Sequence, residues 1–179
     1  MAIQRWNIDP SHSGIHFTVR HMVIAKVRGW FDRFECTLDY DAADPTKSKI
    51  AVRIEAASVN TREPKRDEHL RSADFFDVEK FATLTFASTR IERESDTEYR
   101  VAGDLTIHGV TKPVVLEAEL LGGGKDPWGN ARLAFQAKTT IHRKDFGLNW
   151  NQVLEAGGVL VADKVEISLD VEALEARSA

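Results

Sequence analysis

About eight stretches of the chain alternate apolar and polar residues, and this pattern constrains the fold more than any other feature. In SGIHFTVRH, the odd-numbered positions from Ile15 to His21 share one face. Comparable runs cover residues 50–56, 84–88, 99–107, 114–120, 131–141 and 165–171. Because side chains of a strand point alternately to its two faces, each run predicts a β-strand that is buried on one side only.

Turn-forming residues separate these runs, as in DAADPTKSK, ERESDTE, HGVTKP and GGGKDPWGN. Short strands at this spacing, each with one polar face, predict an all-β antiparallel barrel or sandwich of about eight strands. The chain has 179 residues and shows neither a repeat nor a change of composition that would mark a linker. We therefore expect a single domain covering residues 1–179.

The run KVRGWFDRFECTLDY changes phase partway along. Apolar residues occupy odd positions up to Phe31 and even positions from Phe34 onward. A slip of one residue exchanges the two faces of a strand, so the change predicts a bulge or bend around Asp32 and Arg33.

One charged segment, RDEHLRSADFFDV at residues 66–78, interrupts the strand pattern. A helical pattern covers residues 61–72, and Pro64 suits the first turn of a helix, where its missing N–H is not needed. We predict one short helix near residues 63–72. Phe75 and Phe76 then follow its end and are expected to turn inward.

The residues alone leave open whether the interior is filled or hollow. A sandwich is filled by side chains, whereas a closed barrel can enclose a ligand. Several inward positions are small, which leaves volume unless large residues pack against them: Ala56, Gly103, Ala118, Ala131 and Ala137.

Composition and charge limit the expected location and partners. The formal net charge of −4 argues against a nucleic-acid partner. The N-terminus lacks the apolar core of a secretion signal, and no run is long enough for a transmembrane segment. We expect a cytoplasmic protein, or a periplasmic one if the chain is a trimmed mature form. Cys36 lies in an alternating run and is expected to be a buried, unreactive residue.

No pattern of catalytic or metal-binding residues stands out. His12 and His16 are four residues apart, which on a strand is roughly 13 Å and too far for one ion. The chain has neither a GxSxG elbow nor a Walker pattern after GGGK. We therefore predict no catalytic residue, no metal site and no cofactor.

Polar residues follow two of the apolar strand faces. His21 ends the face that begins at Ile15, and Arg143 and Asp145 follow the strand that ends at Ile141. An apolar interior with a few polar groups at one end suits a long apolar molecule with a polar head. A buried core histidine and a salt bridge at a strand end explain the same residues and stay open as alternatives.

Five stretches occur in an order that carries a family resemblance: WNIDPSHSGIHFTVRHM, GWFDRFECTLDYD, RDEHLRSADFFDV with TLTFAS, GDLTIHGVTKPV, and RKDFGLN with VADKVEISLDVEAL. From about Trp6 to Leu174 they resemble the YceI-like family, which comprises polyisoprenoid-binding proteins of bacteria. The resemblance implies an extended lipocalin-like barrel whose pore holds an isoprenoid chain, such as a polyprenyl phosphate or the tail of an isoprenoid quinone. One departure is Ala82, where the family usually has a proline.

The resemblance and the strand faces together suggest a set of ligand-binding residues. Apolar lining is expected from Ile15, Phe17, Val19, Leu84, Phe86, Leu105 and Phe135, with Phe75 and Phe76 closing one end. Polar groups near the head are expected at His21, Arg143 and Asp145, with Phe146 and Trp150 beside them. The predicted function is non-catalytic binding, transport or storage of this lipid.

Two other functions stay open. An enzyme acting on a small hydrophobic substrate would use His21 or His142 as a general base with a carboxylate partner. A scaffold protein would have a filled core and bind no lipid. Trp128, in the loop KDPWGN, is expected to be exposed, which suits a contact in a homodimer.

Overall fold

The structure is a computed structural model that describes residues 3–155 and 157–177. Its strands form one antiparallel sheet: β1 (Gln4–Ile8), β2 (Gly14–His21), β3 (Ala25–Phe31), β4 (Phe34–Tyr40), β5 (Lys49–Glu55), β6 (Val59–Asn60), β7 (Thr83–Arg93), β8 (Glu98–Ile107), β9 (Val110–Lys125), β10 (Ala131–His142) and β11 (Val161–Glu175). The alternating runs of the sequence all lie within these strands or at their ends.

Eight of the strands close into a barrel in the order β1-β4-β5-β7-β8-β9-β10-β11. The barrel closes where β1 also pairs with β11, with Trp6 opposite Glu175. The predicted antiparallel, lipocalin-like barrel is thereby confirmed, and the sandwich alternative is wrong.

Strands β2 and β3 extend the barrel wall beyond β1 and β4. β2 pairs with the first part of β11, where Val165 lies opposite Val19, and β3 pairs with β2. A short 3₁₀ helix, Pro10–His12, separates β1 from β2, and a bend at Asp32 separates β3 from β4. The bend confirms the position predicted from the change of phase.

In the described part of the chain, the one α-helix is α1 (Pro64–Arg71). The Glu63 carboxylate caps it by accepting from the Lys65 N–H, and Pro64 occupies the first turn, as predicted. Asp67 is buried and accepts from the Thr61 N–H at 2.8 Å and from its hydroxyl at 2.5 Å, which ties the helix to the barrel. Across residues 3–155 and 157–177, no helix is long and apolar enough to cross a membrane.

The buried apolar residues form a large cluster in the body of the barrel and a small one where β1 closes it. The small cluster consists of Trp6, Leu38, Leu133 and Ala173. Tyr40 packs against it with its ring edge-on to Trp6, at 6.2 Å between centroids. This cluster fills one end of the barrel, which we call the floor.

Candidate functional site

Above the floor, the barrel encloses a cavity of about 570 Å³. Its wall is almost wholly apolar and comes from β2–β5 and β7–β11: Ile15, Phe17, Val19, Val27, Phe31, Cys36, Ile50, Val52, Ile54, Leu84, Phe86, Val101, Leu105, Ile107, Val114, Leu116, Ala118, Phe135, Ala137, Ile141, Val165, Ile167, Leu169 and Val171. The interior is therefore hollow, and the filled-core alternative is wrong.

Two glycines explain how aromatic side chains line the wall without filling the interior. The ring of Phe17 lies over Gly29, its partner on β3, and a Cβ at Gly29 would collide with the ring. Phe86 covers Gly103 on β8 in the same way. Because neither glycine has a side chain, both rings can lie along the wall instead of projecting across the barrel.

The small inward positions noted in the sequence have different roles. Ala118 and Ala137 line the cavity, where their small side chains leave space. Gly103 lies beneath Phe86. Ala56 is 1% exposed in a 3₁₀ turn, and Ala131 packs against the floor cluster, so these two leave no space in the cavity.

The end of the cavity opposite the floor, which we call the mouth, is bounded by the end of β2, by α1 and by Trp150. His69, Phe75 and Trp150 form an aromatic cluster there, with ring centroids 4.6–5.4 Å apart. Phe76 packs against Phe31 at 5.9 Å. Phe75 and Phe76 thus turn inward after the helix as predicted, while their role in retaining a ligand stays a prediction.

Charged side chains and two histidines also line the mouth. They are Arg20, His21, Glu63, Lys65, Arg66 and His69. The three arginine and lysine side chains outnumber the single glutamate, so the mouth is basic although the whole chain carries a formal net charge of −4.

Arg143 lines the cavity, but its guanidinium is engaged with the backbone. It is 3% exposed and donates to four carbonyl oxygens, those of Leu148, Trp150, Val161 and Ala162, at 2.6–3.2 Å. Burial lowers the pKa of Arg143, against the opposing effect of the Asp163 carboxylate. The structure therefore makes Arg143 a clamp between the loop after β10 and the start of β11, and its predicted contact with a head group stays a prediction.

All predicted site residues except Asp145 and Phe146 line the cavity. A 3₁₀ turn, Arg143–Phe146, and the left-handed Gly147 direct the chain away from the wall at this point. Asp145 is exposed, and Phe146 is 1% exposed within the core, so neither lines the cavity, and their predicted place beside the head group stays a prediction.

The charged residues that α1 and its cap bring to the mouth were not predicted from the sequence; they are Glu63, Lys65 and Arg66. The helix is charged around most of its surface and gave no apolar stripe to show which side faces the cavity. Cys36 was predicted to be buried, and it is, but it also lines the cavity. Position on an inward-facing strand face was the signal that could have shown this.

The two histidines considered as general bases do not combine a cavity position with a carboxylate partner. His142 Nδ1 lies 2.9 Å from an Asp163 oxygen, but His142 is exposed and outside the cavity wall. His21 lines the cavity, yet in the described part of the chain no carboxylate is bonded to it. The pair at the mouth is instead His69 and Asp74, 2.8 Å apart.

One group of possible metal ligands lies near the floor, formed by Asp9, His12 and Glu172. The guanidinium of Arg132 donates to Asp9 at 3.0 Å and to Glu172 at 2.6 Å, and His12 bonds the same carboxylate of Asp9. A cationic side chain therefore already occupies the position between the carboxylates, and this group has the arrangement of an ion-pair network.

Trp128 is 77% exposed, which confirms the prediction of an exposed aromatic residue in its loop. The loop joins β9 to β10 and lies near the floor, since Arg132 pairs with the last part of β11. A homodimer through this surface stays a prediction.

An antiparallel barrel of eight strands, closed at a floor and enclosing an apolar cavity, defines the class of lipocalin-like barrels. Residues 6–173 match the YceI-like domain. The chain therefore belongs to the YceI-like family, as the resemblance of its sequence blocks indicated.

Individual relatives and solved structures show the same likeness. A UPF0312 protein of Vibrio cholerae is 38% identical over 165 residues, which are 92% of this chain and 83% of that protein. In fold, the chain is similar to BcnA of Burkholderia cenocepacia, with a TM-score of 0.81 and 22% identity over 92% of this chain and 98% of BcnA. It is also similar to a polyisoprenoid binding domain from Saccharophagus degradans implicated in plant cell wall breakdown, with a TM-score of 0.68 and 16% identity over 96% and 98% of the two chains.

Proposed function

We propose that this protein binds a long-chain isoprenoid amphiphile, with the tail in the barrel cavity and the polar head at the mouth, for transport or storage and without chemical change. The observation that carries the proposal is the apolar cavity of about 570 Å³ with charged residues at one end only. Sites for small molecules typically measure about 300–1,000 Å³.

The lining favours a hydrocarbon tail over a polar guest. Water in a protein cavity needs several polar partners, and this wall offers few of them away from the mouth. Each Å² of apolar surface that a tail buries there contributes about 25 cal/mol. The polyisoprenoid-binding domain of similar fold supports an isoprenoid as the tail.

The charge of the mouth bears on the head group. Arg20, Lys65 and Arg66 favour an anionic head, such as the phosphate of a polyprenyl phosphate. An isoprenoid quinone, whose head is neutral, fits the same tail site without using these charges.

The direct test is organic extraction of protein purified from its native source, followed by mass spectrometry of the extract. We expect an isoprenoid lipid at up to one molecule per chain. The variant Ala137→Trp places a large ring in the cavity, because Ala137 is 6% exposed and lines the wall. It should carry at least about tenfold less lipid, since the ring occupies the volume of the tail.

Ala87→Trp is the matched control, because Ala87 lies on an exposed face of β7 and should retain the lipid. Circular dichroism establishes that both variants fold, and Ala118→Leu repeats the test with a smaller side chain if Ala137→Trp does not. An extract without lipid, or a folded Ala137→Trp variant that carries as much lipid as the wild type, would contradict the proposal.

A further inference from the structure

The turn between β2 and β3 exposes three consecutive apolar residues. Met22, Val23 and Ile24, which we call the tip, are 48%, 62% and 85% exposed. Single exposed apolar residues are ordinary on a protein surface, but a contiguous group at the end of a hairpin marks a contact surface.

The backbone holds the tip in a conformation that its residues do not favour. Met22 has φ 52° and Val23 has φ 71°, in the left-handed region that a β-branched residue rarely adopts. The Met22 N–H donates to the Leu160 carbonyl at 2.8 Å, which fixes the turn against the neighbouring loop. Asn or Gly would relieve this strain, so two apolar residues here point to a functional requirement.

A second loop extends the apolar surface. Val153 and Val159 are 80% and 41% exposed and pair in an isolated antiparallel bridge. Val23 lies beside Gly158, where a Cβ would come within 3.4 Å of its Cγ2. The two loops therefore form one apolar surface next to the mouth, where His21 and Leu160 line the cavity.

Positive charge surrounds this surface. Residues 20–28 include Arg20, Lys26 and Arg28, all exposed, and no acidic residue. Lys65 and Arg66 lie at the same mouth. The nearby acidic residues include Glu63, Glu155 and Asp74, which is paired with His69, so the five basic side chains outnumber these three at this end of a chain whose formal net charge is −4.

We propose that the mouth docks on an anionic phospholipid bilayer, with the tip, Val153 and Val159 inserted among the head groups and the basic residues against the phosphates. Apolar insertion and attraction between basic residues and anionic lipid together give reversible binding that neither gives alone. The inference rests on the proposed function in one respect. When the mouth lies against the bilayer, a lipid can move between the bilayer and the cavity without crossing water.

The test is co-sedimentation of the full chain with sucrose-loaded vesicles of phosphatidylcholine, with and without phosphatidylglycerol. We expect binding to the anionic vesicles that falls as salt rises, because salt screens exposed charges. The double variant Val23→Asn and Ile24→Asn should bind at least about tenfold more weakly, since it removes inserted apolar area. Asn tolerates positive φ, so the turn should be kept.

Leu121→Asn is the matched control, because Leu121 is a 55% exposed apolar residue on β9, where β9 approaches the floor. It should bind vesicles like the wild type. Three results would overturn the proposal. The tip variant could bind vesicles as strongly as the wild type, Leu121→Asn could lose as much binding as the tip variant, or the wild type could fail to bind. The proposal also fails if the wild type forms a dimer and binds no vesicles, while the tip variant is a monomer, because the tip would then contact a second copy of the chain.

Lipid extraction from the same samples separates this inference from the proposed function. The tip lies outside the cavity wall, so a tip variant that loses vesicle binding should keep the lipid it acquired during expression. If the protein binds vesicles but contains no extractable lipid, the docking surface is supported and the proposed lipid-binding function is contradicted.

Discussion

At the scale of single residues, the reactivity of Cys36 measures whether water reaches the cavity wall. It is 8% exposed and lines the cavity, and burial raises its pKa to about 12 from an ordinary value of 9.0. Because the thiolate is the reactive form, we expect iodoacetamide at pH 8 to alkylate Cys36 about a thousandfold more slowly in the folded protein than in the unfolded protein. A mass-spectrometric time course, with the chain in guanidinium chloride as the control, measures both rates.

The Cys36 measurement bears on the cavity as well as on the thiol. A wall wetted by bulk water would stabilise the thiolate and bring the two alkylation rates close together. Similar rates in the folded and unfolded protein would therefore contradict an apolar, dry interior.

At the scale of elements, Arg143 holds the loop after β10 in place. Replacing it with Met removes the guanidinium donor from the carbonyls of Leu148, Trp150 and Ala162, while the Val161 carbonyl keeps its bond from the Asn151 amide. We expect Arg143→Met to lower the free energy of unfolding by about 2–4 kcal/mol, because several buried acceptors lose their partners. Hydrogen exchange should accelerate across residues 148–155 and 157–161 before it does elsewhere.

Lys144→Met controls for the loss of charge, since Lys144 is exposed and adjacent. Arg143→Lys should behave like Arg143→Met, because one ammonium group cannot reach carbonyls that a planar guanidinium bridges. If Arg143→Lys has wild-type stability and exchange, the clamp does not depend on the geometry of the guanidinium.

Elements with local signals were predictable from sequence, whereas their long-range partners were not. Alternation placed the inward faces of β2, β8 and β10, and the change of phase located the bend at Asp32. The partners of Arg143 lie up to 19 residues away along the chain, and a strand pattern does not reveal which carbonyls meet a side chain. Similarly, the composition of α1 shows that it is charged but not that it lies at a cavity mouth.

At the scale of the whole molecule, the two ends of the barrel differ in kind. The floor is packed with apolar side chains and joined by an ion-pair network around Arg132, which links β10 to Asp9, Asp126 and Glu172. The mouth has a helix, two loops and the contiguous apolar tip. The floor therefore closes the barrel, whereas the cavity reaches charged side chains at the mouth.

The Arg132 network predicts acid sensitivity. Hydrogen bonds from Ser11, His12 and Arg132 lower the pKa of Asp9. Burial raises the pKa of Asp126, but hydrogen bonds from Asn130 and Arg132 outweigh burial and lower it. A carboxyl whose pKa is lower in the folded than in the unfolded state stabilises the protein at neutral pH, and this stabilisation is lost as the pH falls from about 5 toward the folded pKa. The melting temperature should therefore fall over this range.

Arg132→Met tests the same network and should melt below the wild type at pH 7. The difference in melting temperature between the wild type and Arg132→Met, here called the gap, should narrow as the pH is lowered, because a protonated carboxyl no longer forms an ion pair with the guanidinium. It should not vanish by about pH 3, since the remaining donors still favour the ionised carboxyls in the folded state. The control is Arg5→Met, also near the floor, where an exposed pair with Asp39 should contribute little. A gap between Arg132→Met and the wild type that is independent of pH would mean that Arg132 acts through packing of its side chain, not through the charges it joins.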